Sequence, residues 1–496
     1  MSSRIIGIET EFGCLVDSEA GTPEDIVEAV KTHAFGTKQL GLIDLHARDY
    51  TFEPARAGGF LLNGGRLYID AVGSHEEYAT PECTALHDVL IYDRAGRALV
   101  QLLLDDLGLA DRASFHNNSV DHFGGHTFGC HENFLVRADA LSFKESLGGL
   151  LPFLVTRQIF AGTGRVGGHR LTRDFRRNVM QLSDFEADYV YVSQFYGVEL
   201  DEAVDFQLSQ RADHIVTSQS SRVRFNRALI NPKWDTYYDF SDRHRLHLLF
   251  GESNLCEYAA ALKIGTTSLV LELLESDRLP GGIELEHPIV ALRKVSRDRS
   301  AFDGTTATRW LVERADGGTI GAVDVQRSYL AAARRDCAGR DEETDWILIE
   351  WEATLDALER DPLTLSDRLD WVAKYTLLNE FRESESLAWN DDALHSLDLE
   401  YHNLNPDRGL YFGLEQAGAV RRLTTDAEVF RALTHPPANT RAFGRGQLIH
   451  ELLQRNATRY VIDWDMLALS EHRQLRFKDP FHTYEREAEA FLRHAE

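Results

Sequence analysis

The chain has 496 residues, of which 43% are apolar and 27% are charged, so it can form a sizeable core and is not of the disordered class. Its net charge of −26 argues against a protein that binds nucleic acid or anionic membranes, because phosphate binding needs an excess of Lys and Arg. Five widely spaced cysteines, and no apolar run of signal or membrane-spanning length, predict a cytoplasmic protein with free thiols.

The predicted elements are a mixture of short strands and longer helices. In chain order they are a strand over residues 4–12, a helix over 23–34, a long loop over 36–60, a strand over 65–71, a helix over 86–106, a strand over 127–136, and helices over 257–275 and 350–360. This mixture predicts an α+β fold with a mainly antiparallel sheet. Shorter, charged elements near the C-terminus predict a large domain over residues 1–400 and a small one over 401–496.

The first candidate site lies in the sequence GIETEFG near the N-terminus. In a strand, Glu9 and Glu11 point to the same face, because successive side chains alternate between the two faces. Neighbouring carboxylates are costly to bury unless a hard divalent cation takes them as oxygen ligands. The apolar residues that precede them favour burial and hence a metal site. The alternative is an exposed, solvated strand face.

The second candidate site lies in the sequence RLYIDAVGSHEEYATPEC. Arg66, Tyr68 and Asp70 share one strand face, and Glu77 follows a turn that contains glycine. An Arg, a Tyr hydroxyl and carboxylates on adjoining strands predict a pocket for metal-bound phosphates, with Asp70 free to act as base or nucleophile. A charged hairpin rim is the alternative. Asp70 and Glu77 can face the same site only if Ala71 is absorbed as a bulge.

Further motifs contribute single residues. In GCHENF, His131 could complete a carboxylate-rich metal site or be a structural histidine. In TRAFGRG, Arg441 and Arg445 could clamp phosphate. In VIDWD, Trp464 could stack on a nucleobase or belong to the core of the small domain. The GTGRVGG motif over residues 162–168 matches a dinucleotide fingerprint, but a basic segment follows it, so a loop over a substrate or a surface turn is predicted instead.

Eight motifs, taken in order, resemble the family of prokaryotic ubiquitin-like protein (Pup) ligases and depupylases: GIETEFG, NGGRLYID, GSHEEYATPEC, HEN, PFLVTRQ, LSQRADHI, LKIGTTSLVLELLE and RAFGRG. The resemblance spans residues 5–481. It implies a fold similar to that of glutamine synthetase-type carboxylate-amine ligases, in which a curved antiparallel sheet cradles ATP and a small C-terminal domain is appended. The partners that it implies are a small Pup-like modifier, its protein conjugates and the bacterial proteasome pathway.

The resemblance also implies roles for individual residues, with ATP and Mg²⁺ as cofactors and Asp70 as the catalytic aspartate. The residues that look like metal ligands are Glu9, Tyr68 and Glu77, with Glu11 and His131 as further members of the site. The residues that look like nucleotide contacts are Arg66, Thr80 and Trp464, with Arg441 and Arg445 as further members.

The two activities of the family work at the same carbonyl. The ligase uses ATP to phosphorylate the side chain of the modifier's C-terminal Glu and then lets a substrate lysine attack. The depupylase hydrolyses the resulting isopeptide bond or deamidates a C-terminal Gln. The predicted loop over residues 36–60 resembles an active-site insertion that is typical of depupylases. We therefore expect an ATP-dependent hydrolase of the depupylase and deamidase type, with the Pup–protein ligase as the alternative. Two classes outside this pair also stay open, a small-molecule carboxylate-amine ligase and a non-catalytic binding module.

Overall fold

The structure is a computed structural model that describes residues 4–17, 19–48, 51–70, 75–123, 125–137, 147–171, 198–219, 227–233, 242–302 and 309–493. Its strands are β1 Ile6–Val16, β2 Gly41–Arg48, β3 Thr51–Leu61, β4 Arg66–Ile69, β5 Glu76–Ala79, β6 Ala113–His116, β7 Cys130–Arg137, β8 Arg165–Val166, β9 His169–Leu171, β10 Val198–Leu200, β11 Phe206–Gln207, β12 Thr217–Gln219, β13 Ala228–Lys233, β14 Arg243–Leu248, β15 Leu311–Glu313, β16 Thr319–Gly321, β17 Val461–Asp463, β18 Met466–Ser470 and β19 Arg473–Arg476.

Its helices are α1 Pro23–Thr32, α2 Leu86–Asp106, α3 Leu151–Thr156, α4 Gln158–Ala161, α5 Glu257–Glu275, α6 Pro288–Ser296, α7 Ala322–Cys337, α8 Glu342–Arg360, α9 Asp370–Glu385, α10 Asp392–Tyr401, α11 Leu410–Gln416, α12 Asp426–Ala432, α13 Ala442–Gln454 and α14 Glu485–Arg493. Helix α1 begins where Thr22 and Asp25 form a reciprocal capping box before and within its first turn.

One large sheet organises the described residues. Its strand order is β12-β13-β14-β7-β1-β5-β4-β3-β2, and β6 pairs with the far end of β1. Every pairing in it is antiparallel except the one between β12 and β13. Helices accompany the sheet, so the predicted α+β class with a mainly antiparallel sheet is confirmed.

The two faces of the sheet differ because the side chains of β1 alternate. Ile8 and Phe12 point to the face that the helices cover and are 3% and 1% exposed. Helix α5 is apolar on nearly every side and packs between the sheet, α2 and α8, so it is buried almost throughout. The opposite face of the sheet carries charged side chains, and it is the one that holds the candidate site.

The region predicted as a long loop, residues 36–60, is mostly regular structure. A turn of π-helix at His33–Thr37 leads into β2, and β3 runs back beside it to reach β4. The apolar side chains of Leu42 and Phe60 pack against the C-terminal part of the chain. Glycines lie near both ends of this region and no clear periodicity of apolar residues runs between them, so the local pattern predicts a loop, whereas backbone pairing with neighbouring strands supplies the order.

The main apolar cluster extends past residue 400, and we call the separately clustered elements α13, α14 and β17–β19 the C-terminal unit. The division into domains at residue 400 stays a prediction. Tyr411, Val420 and Val429 belong to the main cluster, with the helices that cover the sheet. A separate cluster joins α13, α14 and β17–β19 to Leu42 and Phe60. The predicted change of texture near residue 400 therefore falls inside one packed core, because charged surface residues on α10–α12 hide the apolar residues beneath them.

Within the described ranges, no helix is both long and apolar enough to cross a membrane. The five cysteines are free, as the sequence predicted.

Candidate functional site

The candidate site lies on the charged face of the sheet, where five neighbouring strands meet. Glu9 lies opposite His131 across the β1–β7 pair, and Glu11 lies opposite Glu77 across the β1–β5 pair. Tyr68 lies opposite Glu77 across the β4–β5 pair. Residues directly opposite each other point to the same face, so antiparallel pairing brings together five of the residues that the sequence analysis selected.

Glu9 is surrounded by nitrogen atoms from β7 and β14. Its carboxylate lies 3.4 Å from His131 Nδ1 and 3.5 Å from His247 Nε2. It also accepts hydrogen bonds from Asn133 Nδ2 at 3.1 Å and from Arg245 Nη1 at 3.3 Å. Burial would raise the pKa of Glu9, but these histidines and Arg245 outweigh burial and hold the pKa well below its ordinary value. Glu9 is therefore a carboxylate at neutral pH.

Glu11 and Glu77 have opposite pKa shifts although they face each other. Burial opposes ionisation of Glu11, but the hydrogen bond from His75 Nδ1 at 3.0 Å helps to lower its pKa to about 2. For Glu77, burial and the nearby charges of Glu11 and Glu9 raise the pKa well above its ordinary value. Glu77 is therefore a buried carboxyl group beside two carboxylates, and its charged form would become favourable only with a cation close to it.

Within the part of the chain that the structure describes, two groups of side chains have the spacing of a metal site. One consists of Glu9, His131 and His247, the other of Glu11, Glu77 and His131, and in each the possible ligand atoms lie within 4.8 Å of one another. The second group offers two carboxylates, which are the oxygen ligands that Mg²⁺ prefers. The raised pKa of Glu77 is the expected state of such a group before a cation neutralises it. The donor set therefore fits a divalent cation.

A cavity of about 290 Å³, which we call the cradle cavity, adjoins these groups. The residues that line it come from β1, β4, β5, β7 and β14 and from the C-terminal unit. They include the selected residues Glu9, Tyr68, Thr80, Arg441 and Trp464. Thr80 is held in place because its Oγ1 accepts a hydrogen bond from Ile8 N at 3.0 Å.

Arg66 lies beside the cradle cavity and is not among the described residues that line it. Its guanidinium forms an ion pair with Asp44 of β2 and lies over the rings of Phe60 and Tyr68 at 5.5 and 4.7 Å. A rearrangement of the Asp44 pair is required before Arg66 can meet a phosphate through the same nitrogen atom.

Arg445 has a structural position instead of the phosphate-facing position that was expected. It is fully buried and pairs with Glu82, and it donates hydrogen bonds to the carbonyl oxygens of Gly64 and Trp464 at 2.6 and 2.8 Å. Arg441 also donates to Glu82, with Nε 2.6 Å from Oε1. Arg445 of α13 and Arg441, the residue before α13, thus both bind the buried carboxylate of Glu82, which follows β5.

Asp70 directly follows β4, and its backbone N–H donates to the carbonyl oxygen of His75 at 2.9 Å. Its carboxylate is near enough to Glu77 to contribute to that residue's raised pKa. Asp70 thus lies at the same end of the site as the Glu11–Glu77 group. The predicted bulge at Ala71 lies outside the described residues.

The sequence analysis missed two residues of the site, Arg245 and His247. Both lie on β14, whose sequence RHRLHL alternates basic and apolar residues after the first pair. Leu246 and Leu248 are buried on the helical side, so Arg245 and His247 point to the charged face. This period-two pattern is the signal that could have found them.

Comparisons with known proteins agree on one family. A family model described as Pup-ligase protein matches residues 4–468. A protein of Nocardioides sp. named Pup–protein ligase is 34% identical over 510 residues, covering 99% of each chain. A protein of the same name from Nakamurella multipartita is 34% identical over 498 residues, covering 97% of each chain.

Two solved structures are similar to this chain. One is the complex between Pup and its ligase PafA, with a TM-score of 0.79, 28% identity and coverage of 99% of this chain and 91% of that chain. The other is PafA in complex with ADP, with a TM-score of 0.74, 29% identity and coverage of 89% and 91%.

These relatives overturn the preference for a depupylase or deamidase. They are similar over the full length of the chain and carry the name of the ligase, which the sequence had left in second place. The preference depended on an inserted loop over residues 36–60, and most of that region instead consists of paired strands of the main sheet. With a carboxylate-rich site on the open face of this sheet and a match that extends from residue 4 to residue 468, the chain belongs to the Pup-ligase family.

Proposed function

We propose that this protein is an ATP-dependent ligase that joins the C-terminal Glu of Pup, or of a Pup-like modifier, to lysines of substrate proteins. The observation that carries the proposal is the cluster of Glu9, Glu11, Glu77 and His131 beside the cradle cavity. Similar solved structures hold PafA with Pup and PafA with ADP, which supports Pup and ATP as substrates of this chain.

Divalent cations, most simply Mg²⁺, would be held by Glu9, Glu11, Glu77 and His131, with Tyr68 beside them. When bound, the cations neutralise the charge of the ATP phosphates. Tyr68 hydrogen-bonds Glu77, and burial with the nearby Glu77 and Glu9 raises the pKa of Tyr68 well above its ordinary value. Tyr68 therefore serves as a neutral hydroxyl that orients the Glu77 carboxylate.

The nucleotide would occupy the cradle cavity. Trp464 offers a ring on its wall, which Phe60 holds edge-on at 5.0 Å between ring centroids. Thr80 and Arg441 offer polar groups on the same wall. Arg66 is the further candidate for a phosphate contact, once it parts from Asp44.

Asp70 would act as the base that removes a proton from the attacking lysine amine. ATP transfers its γ-phosphoryl group to the side-chain carboxylate of the modifier's C-terminal Glu, which releases ADP and gives an acyl phosphate. The lysine amine attacks the carbonyl carbon of this acyl phosphate, so that the isopeptide bond forms and inorganic phosphate leaves. Glu77, beside Asp70, is a ligand rather than a base in this proposal, because its charge is needed by the cation.

The proposal is tested by incubating the full chain with ATP, Mg²⁺, a Pup that ends in Glu and a lysine-bearing acceptor protein. Mass spectrometry should find a Pup–acceptor conjugate whose formation needs ATP. Asp70→Asn should lower the rate of conjugation by about 10²-fold or more, the usual contribution of a general base. Asp111→Asn, in an exposed turn, is the matched control and should leave the rate unchanged.

ADP production from ATP with a free amino acid and amine, in the absence of Pup and acceptor, would instead support a small-molecule ligase. No conjugate and no ATP turnover under any of these conditions would reject the proposal.

A further inference from the structure

A second cavity, which we call the loop cavity, lies away from the cradle cavity and shares no lining residue with it. Its volume is about 110 Å³. It is enclosed by the loop between β6 and β7, by β8 in the GTGRVGG segment and by α10. The residues of the lining that matter here are Asn118, Asp121, His122, Arg165, His395 and Asp398. The function proposed above uses none of them.

Arg165 is buried in the wall of this cavity and forms no ion pair among the described residues, although the charges of Asp213, Asp398 and Asp121 act on it from a greater distance. Its side chain is 2% exposed, and its Nε and Nη1 atoms are buried without a hydrogen-bond acceptor. Among the described residues, no carboxylate oxygen lies within ion-pair distance of its guanidinium. Buried guanidinium groups are normally paired, so this arrangement points to a missing acceptor.

The third nitrogen of the Arg165 guanidinium, Nη2, lies 3.1 Å from His169 Nε2. The hydrogen bonds of the neighbouring histidines show that His169 Nε2 carries a proton and so cannot accept from Arg165. Arg227 Nη1 can only donate, so His214 accepts through Nδ1 at 2.8 Å. Burial lowers the pKa of His214 and that of His169, so both rings are neutral. His214 Nε2 then donates to His169 Nδ1 at 3.0 Å, and His169 Nε2 donates to the carbonyl oxygen of His122 at 2.7 Å.

The neutral rings of His214 and His169 each carry one proton. Because Arg227 donates to His214, every hydrogen bond from Arg227 to His122 points the same way, and His169 Nε2 is a donor. Two donors face each other at the contact with Arg165, so the contact is not a hydrogen bond. All three guanidinium nitrogens of Arg165 therefore lack an acceptor among the described residues.

Two further polar atoms of the wall also lack partners. The rings of His122 and His395 stack with centroids 3.4 Å apart, and the Nδ1 atom of each is buried without a hydrogen bond. In the tautomer that carries the proton on Nδ1, each ring supplies another donor beside Arg165. Arg165 thus supplies donors to the wall in any state, and each of the two histidines supplies one more in that tautomer.

The carboxylates that line the cavity accept hydrogen bonds from other groups and not from Arg165. Asp398 accepts hydrogen bonds from Lys374 Nζ and from the backbone N–H of Val166, both at 2.7 Å. Asp121 accepts a hydrogen bond from Phe123 N at 3.3 Å. Phe123 itself is 69% exposed, so the cavity reaches the molecular surface beside an apolar side chain.

We propose that the loop cavity binds a small oxyanion, with Arg165 as its principal ligand and His122 and His395 as further donors. Its size suits a phosphate or a single carboxylate group. The oxyanion comes either from solution, as inorganic phosphate, or from an acidic side chain of a bound protein, for which Phe123 forms an apolar rim.

The proposal is tested by titrating two probes, inorganic phosphate and N-acetylglutamate α-amide, into the full chain by calorimetry. Saturating Mg²⁺ and a non-hydrolysable ATP analogue are present so that the nucleotide and its γ-phosphate position are filled, and the comparison with Arg165→Gln separates binding in the loop cavity from binding beside the nucleotide. Arg165→Gln should weaken binding of the probe about ten-fold or more, because a buried charged hydrogen bond is lost. Arg170→Gln is the matched control: this nearby arginine is exposed and pairs with Glu199, so the variant should bind as the wild type does.

Binding of phosphate alone assigns the site to a free oxyanion, and binding of the amide alone assigns it to a side chain of a bound protein. Binding of both supports the shared chemistry. Crystals of the wild-type chain soaked with the probe should show it within hydrogen-bond distance of Arg165, and this measurement does not depend on how a variant folds. The proposal is overturned if neither probe binds to the wild type, or if the probe is found only elsewhere.

Discussion

Glu76 and Glu77 are adjacent in the chain but have different surroundings, because β5 directs them to opposite faces of the sheet. Glu77 faces the carboxylates of Glu11 and Glu9. Glu76 lies on the helical side, fully buried, and neither of its carboxylate oxygens has a hydrogen-bond partner. The pair therefore provides a matched comparison between a residue of the site and a residue of the core.

Glu77→Gln should weaken the binding of Mn²⁺, used as a paramagnetic substitute for Mg²⁺, by about ten-fold or more, because an anionic ligand is lost. Glu76→Gln should leave the Mn²⁺ affinity within about two-fold of the wild type. Electron paramagnetic resonance of free Mn²⁺ measures both. In the wild type the affinity should increase with pH, because the raised pKa of Glu77 means that its proton must leave before the cation binds. Equal affinities of the two variants would contradict the proposed metal site.

Glu76 also predicts a pH dependence of stability. Burial, the largest influence, raises its pKa well above the ordinary 4.5. Above pH 4.5 the unfolded chain has lost this proton while the folded chain retains it, so the contribution of Glu76 to wild-type stability falls by about 1.4 kcal/mol per pH unit up to the folded pKa. The Glu76→Gln variant has no proton to lose at this position, so its stability does not fall with pH for this reason. Its melting temperature relative to the wild type should therefore increase from pH 4.5 towards neutral pH, and calorimetry that found a constant difference would contradict the prediction.

At the scale of elements, the contact between α13 and the sheet depends on one carboxylate. Glu82 follows β5 and receives Arg441 and Arg445, and all three side chains are buried. Burial alone would raise the pKa of Glu82, but the two arginines lower it to about 2. This ion pair network holds the C-terminal unit against the wall of the cradle cavity.

Glu82→Gln should destabilise the protein by about 3–5 kcal/mol at neutral pH, because two buried guanidinium groups lose their counter-charge. The pKa of Glu82 is lowered on folding, so its stabilising contribution is complete above pH 4.5 and is lost as the pH falls towards 2. The difference in melting temperature between variant and wild type should narrow over that range.

The matched control is Glu428→Gln, whose carboxylate also has a pKa of about 2 but lies at the surface beside His87. Solvent screening should limit its effect to less than about 1 kcal/mol, and an equal effect of the two variants would contradict the structural role of Glu82.

At the scale of the whole molecule, the C-terminal unit is joined to the large sheet through an apolar contact that also forms part of the cradle cavity. Phe60 of β3 is 1% exposed and touches the rings and charges of the C-terminal unit, with Trp464 at 5.0 Å and Arg445 at 5.4 Å. The strands that replace the expected loop thus determine where Trp464 lies.

Phe60→Ala should lower stability by about 3–5 kcal/mol, because a large buried side chain is removed and a cavity remains. It should also weaken ADP binding, because Trp464 loses the ring that holds it on the cavity wall. Differential scanning calorimetry and an ADP titration measure the two effects. Phe430→Ala, at a side chain that is 75% exposed, should change neither by more than about 0.5 kcal/mol. Normal ADP affinity in Phe60→Ala would show that Trp464 does not need this support.

Much of the candidate site could be predicted because strand alternation is a local property. The order of residues in GIETEFG directs Glu9 and Glu11 to one face, and that in RLYI directs Arg66 and Tyr68 to one face. The residues on β14 follow the same rule, because RHRLHL alternates basic and apolar side chains after its first two residues. Arg445 could not be predicted in this way, since its partner, Glu82, lies 363 residues earlier in the chain.

By itself, the sequence determined the α+β class, the face on which the carboxylates lie and the resemblance to a family, because each depends on neighbouring residues or on motifs in order. The tertiary structure alone decided which strands lie side by side, that residues 36–60 contribute strands, and which arginines face a ligand and which face Glu82. The physical reason is that antiparallel pairing and the burial of charge bring together residues hundreds of positions apart, and no local pattern specifies those partners.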